Sequence, residues 1–270
     1  FPVTARAAVA RAGVVRACVR AWAGKTQRFL TARFVLPPQD LLFVLRSLFL
    51  CLLWLAAPVL AASPLIDAEA LHALIADEAV RVIDIREGPA YELQHVPTAV
   101  SAPYGLWHES GDNPGLVPPL DALTELVQSL GLTPDTHVVI VYAGVDATDF
   151  GGAARAYWTL KSLGVRDISI LNGGLAAWTQ EGYAPSDKPA TVPRSNWKPS
   201  FNPQWLATRE QVRTNLEPNG PLLVDARPPP FFEGRVAPPQ ARARGTLPGA
   251  VNLDSELFFE LGSAELMDTD

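Results

Sequence analysis

Apolar positions along this chain switch between two periods from residue 64 onward. Asp67 precedes Leu71, Leu74 and Ile75, a capping residue ahead of helically spaced apolar positions, and predicts a helix through Asp77. Arg81–Ile85 is a short β-branched run and predicts a buried strand. Asp121–Leu130 returns to helical spacing and is closed by Gly131. His137–Tyr142 is apolar almost throughout, the pattern of a central strand covered on both faces. Gly152–Leu163 reads as a helix stopped by Gly164, and Asp167–Leu171 as another strand. That strand turns at Gly173-Gly174 into a helix holding Trp178. Trp158 and Trp178 fall at helical positions and are expected in the core. Strands alternating with helices predict an α/β fold with a parallel sheet flanked by helices.

The pattern then stops and restarts. Residues 185–205 carry Pro185, Pro189, Pro193, Pro199 and Pro203 with little periodicity, which predicts an extended linker. Thr208 is placed to cap a helix running to about Leu216, and Pro221–Asp225 reopens the strand pattern. Pro228–Gly245, rich in Pro, Arg and Ala, reads as a loop. The restart is a duplication. Val82-Ile83-Asp84-Ile85-Arg86 is followed by His95-Val96-Pro97-Thr98-Ala99-Val100. Leu223-Val224-Asp225-Ala226-Arg227 is followed by Thr246-Leu247-Pro248-Gly249-Ala250-Val251. Each copy is an apolar strand ending in Asp-x-Arg and then a Pro-x-Ala-Val turn, so the chain holds two related units. Their boundaries fall at 64–184 and 206–270. The segments after the turn in the first copy have no counterpart before Asp270, so the second unit is expected to be incomplete.

Composition narrows the picture. Hydrophobic residues make up 48% of the chain and charged residues 19%, enough for a packed core. The net charge of −6 hides an asymmetry, because residues 1–46 hold eight Arg or Lys against the single acid Asp40. The acidic remainder argues against a nucleic-acid partner. Ser47–Ala62 comes after Arg46 as a short apolar run ending in small residues, which predicts a secretory signal cleaved after Ala61 or Ala62. The run is shorter than the roughly 20 residues of a spanning helix, although a retained inner-membrane anchor is the alternative. This predicts a periplasmic or secreted location, with no stable membrane partner once the signal is removed. The first residue is Phe1 and the only methionine is Met267, so the basic segment 1–46 is expected to precede the native start. Cys18 and Cys51 are the only cysteines, so residues 63–270 offer no disulfide, thiolate metal site or cysteine nucleophile.

At these residues the chain resembles the rhodanese, or sulfurtransferase, family. The resemblance rests on Val-Ile-Asp-Ile-Arg86 with Tyr91 and His95-Val-Pro-Thr-Ala-Val, on Ala154–Leu160, and on Leu171-Asn-Gly-Gly-Leu-Ala-Ala-Trp178. In the second copy it rests on Val-Asp-Ala-Arg227 and Gly245–Asn252. The tandem order is similar to that of thiosulfate and 3-mercaptopyruvate sulfurtransferases. It implies tandem rhodanese-like domains, the first non-catalytic and the second carrying the reactive cysteine. That chemistry takes sulfur from a small sulfur-containing anion as a cysteine persulfide and hands it to an acceptor such as cyanide. The family needs a thiolate at a strand end, ringed by backbone N–H groups at a helix N-terminus. No metal or other cofactor is implied, and a monomer is expected.

In the first domain the reactive position falls at Ala143, which has no nucleophile. The loop after it adds Asp146 and Asp149, and like charge there disfavours a persulfide anion. The separation of Asp84 from Ala143, carried onto Asp225, falls beyond Asp270, so the second domain's nucleophile is expected past that residue. Arg227 matches the family's Asp-x-Arg pair and either orders its loop or faces substrate. Where the tandem family usually places two further arginines, this chain has Phe231 and Gln240. Arg235, Arg242 or Arg244 could supply that charge instead, with Arg227, Arg242 and Arg244 as the candidate substrate-binding set. A non-catalytic rhodanese-like binding module is the competing reading, and a phosphatase on the same kind of fold a third. His95 is expected to order its turn. His72, His108 and His137 show no metal-ligand spacing.

Overall fold

Five short strands pair in parallel in the order β1-β5-β4-β2-β3, and each owes its place to the apolar runs above. A computed structural model describes residues 62–75, 80–111, 115–216 and 220–267. The basic segment 1–46 and all but the last residue of the 47–62 signal lie outside these residues. The strands are β1 (Leu65–Ile66), β2 (Val80–Asp84), β3 (Val100–Ser101), β4 (His137–Val141) and β5 (Ile168–Leu171). The β2–β4 pairing runs from Val80↔His137 to Asp84↔Val141. Among them lie α1 (Ala68–Leu74), α2 (Gly88–Leu93), α3 (Leu120–Ser129), α4 (Ala147–Leu163) and α5 (Gly174–Gln180).

The central strands are buried on both faces because successive side chains point to opposite sides. Ile83, Val138, Ile140 and Tyr142 pack with Leu123, Val127, Ala156 and Leu160 of α3 and α4. Val82, Val139 and Val141 pack with Leu71, Tyr91, Leu175 and Trp178 of α1, α2 and α5. This is the flanked parallel sheet that the alternation predicted.

Two expectations need correction. The α4 helix begins at Ala147 rather than Gly152, because Asp146 caps it by accepting the Asp149 N–H at 2.9 Å. Trp178 is in the core, but Trp158 is only half-buried, and its indole N–H donates to the Trp205 carbonyl at 2.7 Å. The Pro-rich linker has no regular structure but is bound along the first domain. His95 and Ser186 exchange backbone hydrogen bonds of 2.8 Å, Ser195 N–H donates to Gln128 O, and Asn202 N–H donates to Ser162 O. Trp197 and Phe201 pack against the α3–α4 side of the core. The buried His95 ring stacks on Tyr91, with Nδ1 2.8 Å from Tyr91 O and Nε2 3.0 Å from Lys188 O. It therefore orders more than its own turn.

Beyond the linker the chain forms α6 (Arg209–Thr214), β6 (Val224–Asp225), α7 (Pro229–Phe232) and β7 (Val251–Asn252). Thr208 and Gln211 form a reciprocal capping box at α6, as the Thr208 cap predicted. The α7 turn interrupts the predicted 228–245 loop, since Pro229 and Pro230 pre-set the helical φ at its start. Strands β6 and β7 make a separate two-stranded parallel sheet. It leaves Leu222, Val224 and Val251 at 70%, 51% and 43% exposure, against 0–1% for Val82 and Ile83 in β2.

Candidate functional site

In an open parallel sheet, ligands sit outside the carboxyl ends of the strands where the strand order reverses. Here that point lies between β2 and β4, at Asp84 and the loop after Val141. Asp84 is fully buried. Its carboxylate accepts from Arg86 Nε at 3.0 Å and Nη2 at 2.7 Å and from the Arg86 backbone N–H at 3.0 Å. Arg86 Nη2 also donates to the Gln94 carbonyl, which closes the β2–α2 loop.

The Ala143–Asp149 loop is held from two directions. On one side Leu175 N–H donates to Tyr142 O at 2.8 Å and Ala176 N–H to Ala143 O at 3.1 Å. The Gly173-Gly174 turn approaches so closely that a Cβ on Gly144 would stand 2.0 Å from Gly173 O, and one on Gly174 2.5 Å from Tyr142 O. On the other side the Asp149 carboxylate turns back into the loop. One of its oxygens accepts from Gly144 N–H at 2.8 Å and from Val145 N–H at 3.1 Å. Successive N–H groups at the start of a helix form an anion cradle, and this cradle is filled by the chain's own side chain.

Tyr142 and Asn172 complete the edge, and sequence reasoning missed both. Tyr142 lies on the Ile140 face of β4, a position the alternation could have flagged as a buried hydroxyl in need of a partner. Its Oη accepts from Gly173 N–H at 3.1 Å and donates to Ala264 O at 2.8 Å. Burial pushes its pKa well above the usual tyrosine range, so it stays a donor. Trp107 also went unremarked, yet it is fully buried and its indole N–H donates to Ala102 O at 2.9 Å.

The second copy of Asp-x-Arg repeats the pattern of the first. Asp225 accepts from Arg227 Nε at 2.9 Å, Nη2 at 2.6 Å and backbone N–H at 3.1 Å. Arg227 Nη2 reaches the Gly245 carbonyl, as Arg86 reaches Gln94. Thr246 adds a hydroxyl donor to Asp225 at 2.6 Å. The Arg227 guanidinium bonded to it, helped by that hydroxyl, holds the Asp225 carboxyl well below the usual carboxylate range.

The candidate residues are not all brought together. Ala143 is half-buried at the β4 end. Arg227, Arg242 and Arg244 are exposed, and Arg244 Nη1 lies 3.3 Å from the Arg235 carbonyl. Among the described residues no hydrogen bond joins any of the three to the 143–149 loop, and no cluster of three or more His, Cys, Asp or Glu could hold a metal ion.

Known proteins carry the same architecture. The model of the rhodanese-like domain matches residues 67–181. The 3-mercaptopyruvate sulfurtransferase of Escherichia coli K12 is 28% identical over 218 residues, covering 76% of this chain and 75% of that protein. The thiosulfate sulfurtransferase of Bos taurus is 36% identical over 140 residues, 51% of this chain and 46% of that one. Against the bovine protein the chain therefore spans about half the relative's length. The crystal structure of SseA from Escherichia coli, a 3-mercaptopyruvate enzyme, superposes with a TM-score of 0.66 at 25% identity. The match covers 77% of this chain and 80% of that one. With the parallel sheet and the Asp-x-Arg loops in place, these matches mean that residues 67–181 are a rhodanese-like domain and that the chain is homologous to 3-mercaptopyruvate and thiosulfate sulfurtransferases over about 76% of its length.

Proposed function

We propose that the parent polypeptide moves sulfane sulfur from a small anionic donor such as thiosulfate to a thiophilic acceptor such as cyanide. The reaction takes place on a cysteine C-terminal to Asp270, in the tandem domain that begins at residue 206. The thiolate attacks the outer sulfur of the donor, the donor's S–S bond breaks, and sulfite leaves with the electron pair. Cyanide then attacks the outer sulfur of the persulfide, thiocyanate departs, and the thiolate is regenerated. No oxidant, metal or other cofactor enters this balance.

One observation carries the reading. The same hydrogen-bonded Asp-x-Arg loop is built twice, at Asp84–Arg86 and Asp225–Arg227, in a chain similar to sulfurtransferases over 76% of its length. The first copy is the silent one, because Ala143 takes the nucleophile's place and Asp149 fills the cradle a persulfide anion would need. In the second copy Arg227, Arg242 and Arg244 supply positive charge for the donor. The Ser47–Ala62 run directs the protein to the periplasm or beyond, where it acts as a monomer. Residues 63–270 contain no cysteine, so they carry no turnover by themselves.

The test is peptide mapping of the parent protein after exposure to thiosulfate or 3-mercaptopyruvate. The expected result is one added sulfur atom on a cysteine beyond Asp270, removed by cyanide. No adduct from either donor would favour the non-catalytic binding module.

A further inference from the structure

We propose that His95 is a proton-operated clasp that fastens residues 186–190, the start of the segment leading out of the first domain, to that domain. The side chain is fully buried, yet both ring nitrogens meet main-chain acceptors. Nδ1 lies 2.8 Å from the Tyr91 carbonyl and Nε2 3.0 Å from the Lys188 carbonyl. A carbonyl oxygen only accepts. A neutral imidazole has one N–H, so it serves one of these carbonyls and turns a lone pair on the other. The imidazolium donates to both. Both bonds therefore require two ring protons, and loss of one proton costs one bond.

The surrounding contacts decide what that loss releases. Besides the ring bond to Lys188, the segment is held by the backbone exchange between His95 and Ser186 and by Ala190 N–H, which donates to Tyr91 Oη at 3.2 Å. That hydroxyl donates onward to Ala99 O at 2.7 Å, which fixes the Tyr91 ring. Tyr91 and His95 stack with centroids 4.0 Å apart, and an aromatic face favours a cation over a neutral ring. Among the described residues no carboxylate bonds to the His95 ring. The charged groups near it are Arg86, which donates to Gln94 O and is neutralised by Asp84, the exposed Glu92 of α2, and the exposed Asp187 and Lys188 of the segment itself. The buried charge is thus met by two carbonyls and a ring face, one of those carbonyls lent by the segment. Proton and docked segment therefore stabilise each other. The second copy lacks the device. By the match of Pro97 to Pro248, Thr246 stands where His95 does, and its hydroxyl turns to Asp225.

Hydrogen–deuterium exchange and ring-nitrogen NMR of the whole chain, Phe1–Asp270, test this at about pH 5.5 and about pH 8, which bracket the range where histidine changes charge. At the lower pH both His95 ring nitrogens should carry protons. The Ser186 and Ala190 amides should then exchange about fivefold or more slowly than at the higher pH, after correction for intrinsic rates, the weight of one hydrogen bond. Amides of 138–141 should keep the same corrected protection at both. His95→Gln, whose amide has a single nitrogen, should remove the pH dependence at Ser186 and Ala190. Equal protection of these two amides at both pH values in the wild-type chain overturns the proposal, whether or not His95→Gln folds. So does an unprotonated ring nitrogen at the lower pH, or a pH dependence that survives in His95→Gln or is shared by residues 138–141.

Discussion

Asp84→Ala should cost about 3–5 kcal/mol of stability, because it leaves the Arg86 guanidinium without its carboxylate in a loop that water barely reaches. The Arg86 side chain is 10% exposed and that of Asp84 0%. The equivalent change in the second copy, Asp225→Ala, should cost less, about 1–2 kcal/mol, because its partner is open to solvent and stays hydrated when the carboxylate is removed. There the Arg227 side chain is 46% exposed, while that of Asp225 is 9%. Similar bonding thus predicts different costs, and surroundings decide. Beneath Asp84 lies a five-stranded sheet covered on both faces, whereas Asp225 ends a two-stranded pair with exposed neighbours. Chemical denaturation of the two variants measures the difference directly. The pH dependence gives a second handle. The folded Asp225 carboxyl titrates below its unfolded value, so its contribution is complete above about pH 3.9 and is lost as pH falls toward the folded value. A carbon-detected titration of Asp225 should therefore find its midpoint below the ordinary carboxylate range, and Arg227→Ala should move it back.

Gly144→Ala should destabilise the first domain by about 3 kcal/mol, through a left-handed conformation that alanine resists and a clash that no side chain can relieve. Gly144 has φ +86°, and its added methyl would meet the carbonyl oxygen of Gly173 at 2.0 Å. The obstacle is backbone at the start of α5, so the β4 and β5 edges would have to separate. The change would also disturb the Gly144 N–H that Asp149 receives. Gly151, inside α4, is the control. It has open space around it, so Gly151→Ala should be stabilising by up to about 1 kcal/mol. Thermal unfolding of the pair separates a glycine required by close approach from one the helix merely tolerates.

How much of this was legible in the sequence varies with the range of the interaction. The β2 and β4 runs, the Asp67 and Thr208 caps and the duplicated Asp-x-Arg loops are local patterns, and they appear in the structure where the sequence predicted them. The α4 helix starts five residues before Gly152, because Asp146 caps it, and an aspartate at the head of a helical run is itself a capping signal. The self-filled cradle was half legible. Two carboxylates near Ala143 were evident, but the return of Asp149 to Gly144 and Val145 depends on the turn of the loop. Trp158 is only half-buried, and its indole N–H is taken by the Trp205 carbonyl at the end of a Pro-rich segment that has no period of its own. The Asn172–Leu266 pairing spans more than ninety residues and leaves no trace in either local pattern.

If the first domain is a silent scaffold and sulfur transfer belongs to the second, thiocyanate formation from thiosulfate and cyanide tests that division most directly. The comparison is between the parent protein and the Phe1–Asp270 chain carrying Cys18→Ser and Cys51→Ser. The expected result is turnover by the parent, and none above the uncatalysed rate by the shorter chain. Turnover by that cysteine-free chain, or by a parent protein stripped of every cysteine beyond Asp270, would contradict it.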